Sequence, residues 1–121
     1  MSVEALAYIY ANEILRFHKR GMGRKKWRIV WSNRKVRGQY GHCDYWKREI
    51  TIHWQPHTKH PNPLFHLRDT VLHEIAHALC PHEGHSNGWK WTLASIGGTP
   101  TSNRFLGKPT VIPSTANTPI A

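Results

Sequence analysis

Only two of the 121 residues are cysteine, Cys43 and Cys80, and neither belongs to a Cys-x-x-Cys pair. That excludes a disulfide framework and a thiolate zinc ribbon, and both thiols are expected to be reduced and buried. Acidic residues are also scarce, seven Asp and Glu against 17 Lys and Arg, so the formal charge is +10 with all ten His neutral. No apolar run approaches the roughly 18 residues that a membrane helix needs. The first ten residues include Glu4 and have neither a basic leader nor a small-residue cleavage site, so no signal peptide is expected and a cytosolic or nuclear setting follows. What the chain does contain is 39% hydrophobic residues and six Trp, enough for one small domain with a modest core.

The positive charge is local. Twelve Lys and Arg against the single Asp44 give a net +11 over the 33 residues from Arg16 to Arg48, which leaves −1 for the rest. Trp27, Trp31, Tyr40, Tyr45 and Trp46 are interleaved with these cations, and cations beside aromatic faces suit a polyanion carrying stackable bases. The candidate nucleic-acid contacts are Arg24, Lys25, Lys26, Arg28, Arg34, Lys35, Arg37, Lys47 and Arg48. The plainer reading is a solvated basic face over core aromatics.

Val3, Leu6, Tyr10, Ile14 and Phe17 recur at three- and four-residue spacing, which predicts an amphipathic helix from Ser2, as N-cap, to His18, with Gly21 as its stop. Alternation predicts strands around Trp27 to Trp31, Tyr40 to Tyr45 and Ile50 to Trp54, the first two joined through a basic stretch. A Pro-containing loop, Gln55 to Asn62, then leads to Asn62-Pro63, an N-cap and N1 pair that opens a helix ending at Pro81. A last helix is expected from Asn87 to Ile96, stopped by Gly97-Gly98. From Pro100 to Ala121 the chain is mostly Thr, Pro, Ser and Asn and is expected to be a weakly ordered tail.

The helix opened by Asn62-Pro63 carries His73-Glu74-Ile75-Ala76-His77. Four residues advance a helix by about 400°, so both imidazoles share one face and can grip one zinc ion, with Glu74 beside them as a general base. Leu67, Val71, Ile75 and Ala78 give this helix an apolar side. A third ligand must come from elsewhere. Downstream of His77 the only carboxylate is Glu83, and the longer pattern H-E-x-x-H-x-x-G-x-x-H fails because Cys80 and Glu83 occupy the Gly and His places. His85, after a break at Pro81 and a turn at Gly84, is the preferred third ligand, with His82, Glu83 and the loop residues His53, His57 and His60 as alternatives. Those loop histidines are expected on the surface of the Pro-containing loop.

His73 to His77 followed by Gly84-His85-Ser86-Asn87-Gly88-Trp89 resembles the SprT-like (SprT/Spartan-like) zinc metallopeptidase domain, and the likeness extends to Gly41-His42-Cys43-Asp44-Tyr45 and Ile50-Thr51-Ile52. The resemblance implies an α+β, zincin-like minimal metallopeptidase domain over residues 1–99: an N-terminal helix, a small three-stranded sheet, the metal helix and a short helix after it. It implies His73, His77 and His85 as ligands of one Zn²⁺, Glu74 as the catalytic base and Trp89 as a packing residue. Seven residues separate His77 from His85, as in compact phage and bacterial versions, which would place the protein in a bacterial or host cytoplasm, or in a nucleus if it is eukaryotic. The expected activity is zinc-dependent endoproteolysis of DNA-associated or DNA-crosslinked proteins by a monomer, with single-stranded or branched DNA as partner. Tyr40, Tyr45 and His42 are candidate oxyanion donors on a hairpin facing the site. The competing reading is a DNA-binding accessory protein whose zinc is structural or whose activity is vestigial.

Overall fold

The computed structural model describes residues 2–34, 39–81 and 84–99. The chain runs α1 (Val3–His18), a 3-10 turn (Lys19–Met22), β1 (Arg28–Ser32), β2 (Gly41–Asp44), β3 (Glu49–His53), the short α2 (Trp54–His57), α3 (Pro63–Leu79) and α4 (Asn87–Ser95). This is the expected α+β order of an N-terminal helix, three strands, a long central helix and a short final one. The stretch expected to be the tail, 100–121, lies outside the described residues.

The helix caps form where the sequence placed them. The Ser2 hydroxyl accepts from the Ala5 amide and the Asn62 side chain accepts from the Phe65 amide at 3.1 Å, so each satisfies an amide that has no partner within its helix. The first helix ends at His18 as expected, but its stop differs. It tightens into the 3-10 turn, and the positive φ of 99° falls on Gly23 rather than Gly21.

The face that α1 buries is also not the one its bulky residues mark. Ala7, Ala11 and Leu15 are buried, whereas Val3, Leu6 and Tyr10 are exposed and Phe17 is 82% exposed; of the predicted row, Ile14 is half-buried and packs against the core. Alanines one turn apart let the helix axis come close to α3, and a closely packed Ala-Ala-Leu row fits there better than a row of large side chains.

The sheet order is β1-β3-β2, with β1 parallel and β2 antiparallel to β3. The hairpin is therefore β2–β3. β1 and β2, joined through the basic stretch, do not pair with each other, because β3 lies between them. Register puts Ile29 opposite Ile50, Trp31 opposite Ile52, and Gly41 and Cys43 opposite Ile52 and Ile50. Side chains alternate across a strand, so these residues share one face. That face meets Ala7, Ala11 and Leu15 of α1 and Leu67, Val71, Ile75 and Ala78 of α3 in one core.

At Gly41, β2 lies close against its neighbours. A Cβ there would lie 2.6 Å from the Thr51 backbone oxygen and 3.3 Å from the Thr70 methyl. Gly41→Ala is therefore expected to destabilise the fold by about 1–3 kcal/mol, read by denaturant unfolding with an unchanged m-value.

The segment expected to be a loop from Gln55 begins as helix. Trp54 is buried, stacks on Trp31 with ring centroids 5.8 Å apart, and lies nearly parallel to His57 at 6.0 Å, so it turns the chain straight from β3 into α2. His53 and His57 are consequently buried rather than on a loop surface. His57 is held by the His53 carbonyl at 2.8 Å and the Thr70 hydroxyl at 3.0 Å.

Candidate metal centre

Residues Leu67, Val71, Ile75 and Ala78 turn one side of α3 into the core, which leaves His73 and His77 one turn apart on another side. Their ring centroids are 5.0 Å apart. After α3 ends at Leu79, the chain reverses through Gly84, whose φ of 56° is a left-handed conformation that glycine adopts without strain. This reversal returns His85 to the pair. Its Nε2 stands 3.2 Å from His77 Nε2 and 3.4 Å from His73 Nε2.

Those separations test the metal assignment. Two nitrogens each bound about 2.0–2.1 Å from a tetrahedral zinc ion stand about 3.3 Å apart, and the two measured spacings bracket that value. Among the described residues this is the one group of three or more His, Cys, Asp or Glu that could hold a metal ion. An all-imidazole donor set suits zinc, and three such ligands would leave a fourth tetrahedral position for water, as a catalytic site requires. Burial, and after it the neighbouring His85, hold His77 down at about 4, so its ring is neutral at physiological pH and no proton need leave it when a metal arrives.

The three histidines line one side of an open cleft of about 360 Å³, together with Glu74, Pro81 and Gly84. Gly41, His42, Cys43 and Tyr45, from β2 and the turn after it, form the other side. Glu74 is buried, 3% exposed, and belongs to the same wall as His73. In the sheet order β2 is an edge strand, so the cleft runs between the metal helix and an edge. A buried carboxylate beside three convergent imidazoles can exchange protons within a metal centre.

A family model described as the SprT-like family matches residues 8–111. The chain belongs to that family. Neither a curated protein nor a solved structure matches it. The match covers most of this SprT-like chain and includes both walls of the cleft.

Of the alternative third ligands, His53, His57 and His60 stand apart from the three-histidine group. His57 is tied to His53 and Thr70, and His60 Nε2 lies 2.8 Å from the Tyr40 hydroxyl. His82 and Glu83 lie outside the described residues. Tyr40 is not on the cleft. It is buried, with ring contacts to His57, His60 and His66, because it precedes β2 at the end of the hairpin remote from the turn. His42 and Tyr45, the other two candidate oxyanion donors, do border the cleft.

The place of Cys43 in this SprT-like cleft was not legible in its sequence spacing. Cys43 and Cys80 are both half-buried rather than fully buried. Burial first, then the Glu74 and Asp44 carboxylates, push the Cys43 thiol up to about 12, so it stays protonated beside the histidines.

The basic stretch divides. Trp27 and Tyr40 are buried and Trp31 is half-buried, donating its indole N–H to Glu4, so these three aromatics belong to the core. Tyr45 and Trp46, at the β2–β3 turn, are exposed, Trp46 by 83%. Arg24, Lys25, Lys26, Arg34 and Lys47 are exposed as well. Arg28 is paired with Glu49, and the Arg48 guanidinium sits over the Tyr45 ring, 6.0 Å from its centroid. Lys35 and Arg37 lie outside the described residues. No described helix is long and apolar enough to cross a membrane.

Proposed function

We propose that this SprT-like domain is a zinc-dependent endopeptidase acting on proteins bound or crosslinked to DNA. The observation that carries the reading is one cleft holding three imidazole nitrogens at zinc-ligand spacing, with Glu74 in the same wall. When bound, zinc supplies Lewis acidity, which polarises a peptide carbonyl and brings the pKa of a water towards 7. Glu74 takes the proton of the attacking water and passes it to the leaving amine. His42 and Tyr45 offer hydrogen bonds to the carbonyl oxygen from the opposite wall.

An extended substrate chain adds to the open edge of β2 through backbone hydrogen bonds, a mode that gives affinity with little sequence preference. The DNA part of the reading rests on charge and aromatics. Exposed Arg24, Lys25, Lys26 and Lys47 attract phosphates, while Tyr45, which borders the cleft, and exposed Trp46 beside it in sequence offer faces to unstacked bases. Single-stranded or branched DNA is therefore the proposed partner of a monomeric protease.

The test is digestion of β-casein with and without single-stranded DNA. Cleavage is expected to stop on chelation and return with zinc, and cleavage that survives complete metal removal would refute the assignment. DNA affinity is expected to fall roughly 50-fold between 50 and 200 mM salt if about four phosphates of a single strand are contacted. A protein that binds DNA with that slope and cuts nothing under any DNA condition is an accessory binder instead.

A further inference from the structure

Trp89 makes ring contacts with all three histidines of the candidate metal centre. It is fully buried, at the third position of α4, whose N-cap Ser86 directly follows His85. Its ring centroid lies 4.7 Å from that of His73, 5.2 Å from His77 and 4.5 Å from His85. Against His77 it is stacked, with 22° between the planes, and the other two rings meet it at 71° and 65°. A single indole thus touches all three imidazoles.

Metal-binding histidines usually owe their orientation to a hydrogen bond from the ring nitrogen that does not ligate. For His77 and His85, the described residues supply no such bond to Nδ1, and the hydrogen-bond-length contacts of both rings are the ones among the ligating Nε2 atoms. Both rings instead pack against the Trp89 indole. Trp89 packs with Leu72, Ala76 and Leu93 in a small core of their own. Its indole nitrogen is buried without a hydrogen-bond partner, so packing and not polar tethering holds the ring there.

We propose that Trp89 is the positioning residue of the metal centre, a flat apolar wall that sets the three imidazoles at zinc-ligand geometry before the ion arrives. The inference rests on the three-histidine reading of the site. Trp89 acts through the ligands and touches no reacting atom. Leu93 lies in the same small core, so Leu93→Ala loosens that core while keeping the indole itself.

The experiment measures zinc affinity of the full-length chain by competition with a chromophoric chelator, and the visible spectrum of the cobalt(II)-substituted protein, for Trp89→Leu, Trp89→Phe and Leu93→Ala. Trp89→Leu is expected to weaken zinc binding about 10- to 100-fold and to alter the tetrahedral cobalt bands, on the scale of lost supporting groups. Trp89→Phe, whose single ring is smaller and more readily folded into this core, is expected to lose about tenfold. Leu93→Ala is expected to lower the melting temperature yet keep zinc affinity within about twofold of wild type. Wild-type affinity in both Trp89 variants, or an equal loss in Leu93→Ala, would overturn the positioning role. A wild-type chain that binds no zinc would overturn the metal reading itself, so the two failures are distinguishable.

Discussion

Glu74→Gln is expected to lower β-casein cleavage by about 10²- to 10⁴-fold while the protein still binds one zinc ion. That range is what a well-placed general acid–base contributes, and the amide keeps the size and polarity of the carboxyl without its ability to take a proton. The effect should appear in kcat more than in KM, because the proton moves only as the peptide bond is attacked. Glu74 is 3% exposed, so the exchange must also be checked for folding. Glutamine fills the same volume and removes a buried charge, so the melting temperature is expected to change little. Full activity in this variant would mean that another group takes the proton. Zinc loss in it would mean that Glu74 supports the ligands.

The second large effect concerns His85. His73 and His77 stand on one helix, but the third nitrogen is brought in by the turn at Gly84, so His85→Ala removes the one ligand the helix does not supply. Zinc affinity is expected to fall by more than about 100-fold, beyond the loss typical of a supporting residue. The loss is also visible without any activity. At free zinc 100 times the dissociation constant, a folded-state site stabilises the protein by about 2.7 kcal/mol, and His85→Ala should abolish that zinc-dependent rise in stability. One tightly bound zinc per chain in the variant would shift the third ligand to His82 or Glu83, and alanine at each would then identify it by the same measurement.

Local chemistry explains why parts of this molecule are legible in one dimension. The Asn62 cap, the Pro63 start and the four-residue spacing of His73 and His77 are properties of a single helix, so the metal pair and its shared face follow from periodicity alone. The segregation of charge between Arg16 and Arg48 is likewise a count along the chain. Tyr40 and His42 show where such reading stops. They lie two residues apart, yet Tyr40 is buried against His57, His60 and His66 while His42 borders the metal cleft, a difference made by contacts with residues distant in sequence.

The first helix and the sheet illustrate the same limit. Hydrophobic periodicity points to Val3, Leu6 and Phe17, but the core takes Ala7, Ala11 and Leu15, because α1 is placed by how closely it can approach α3 rather than by which side chains are most apolar. Alternation finds three strands without ordering them, and only the tertiary structure sets β3 between β1 and β2 and so leaves β2 as the edge beside the metal helix. The sequence by itself determined an H-E-x-x-H helix, its caps and a separate basic segment, since each depends on neighbours within a few turns. The third imidazole, the edge strand and the indole that touches all three histidines were decided by the tertiary structure, because each requires residues from different elements to share one small volume.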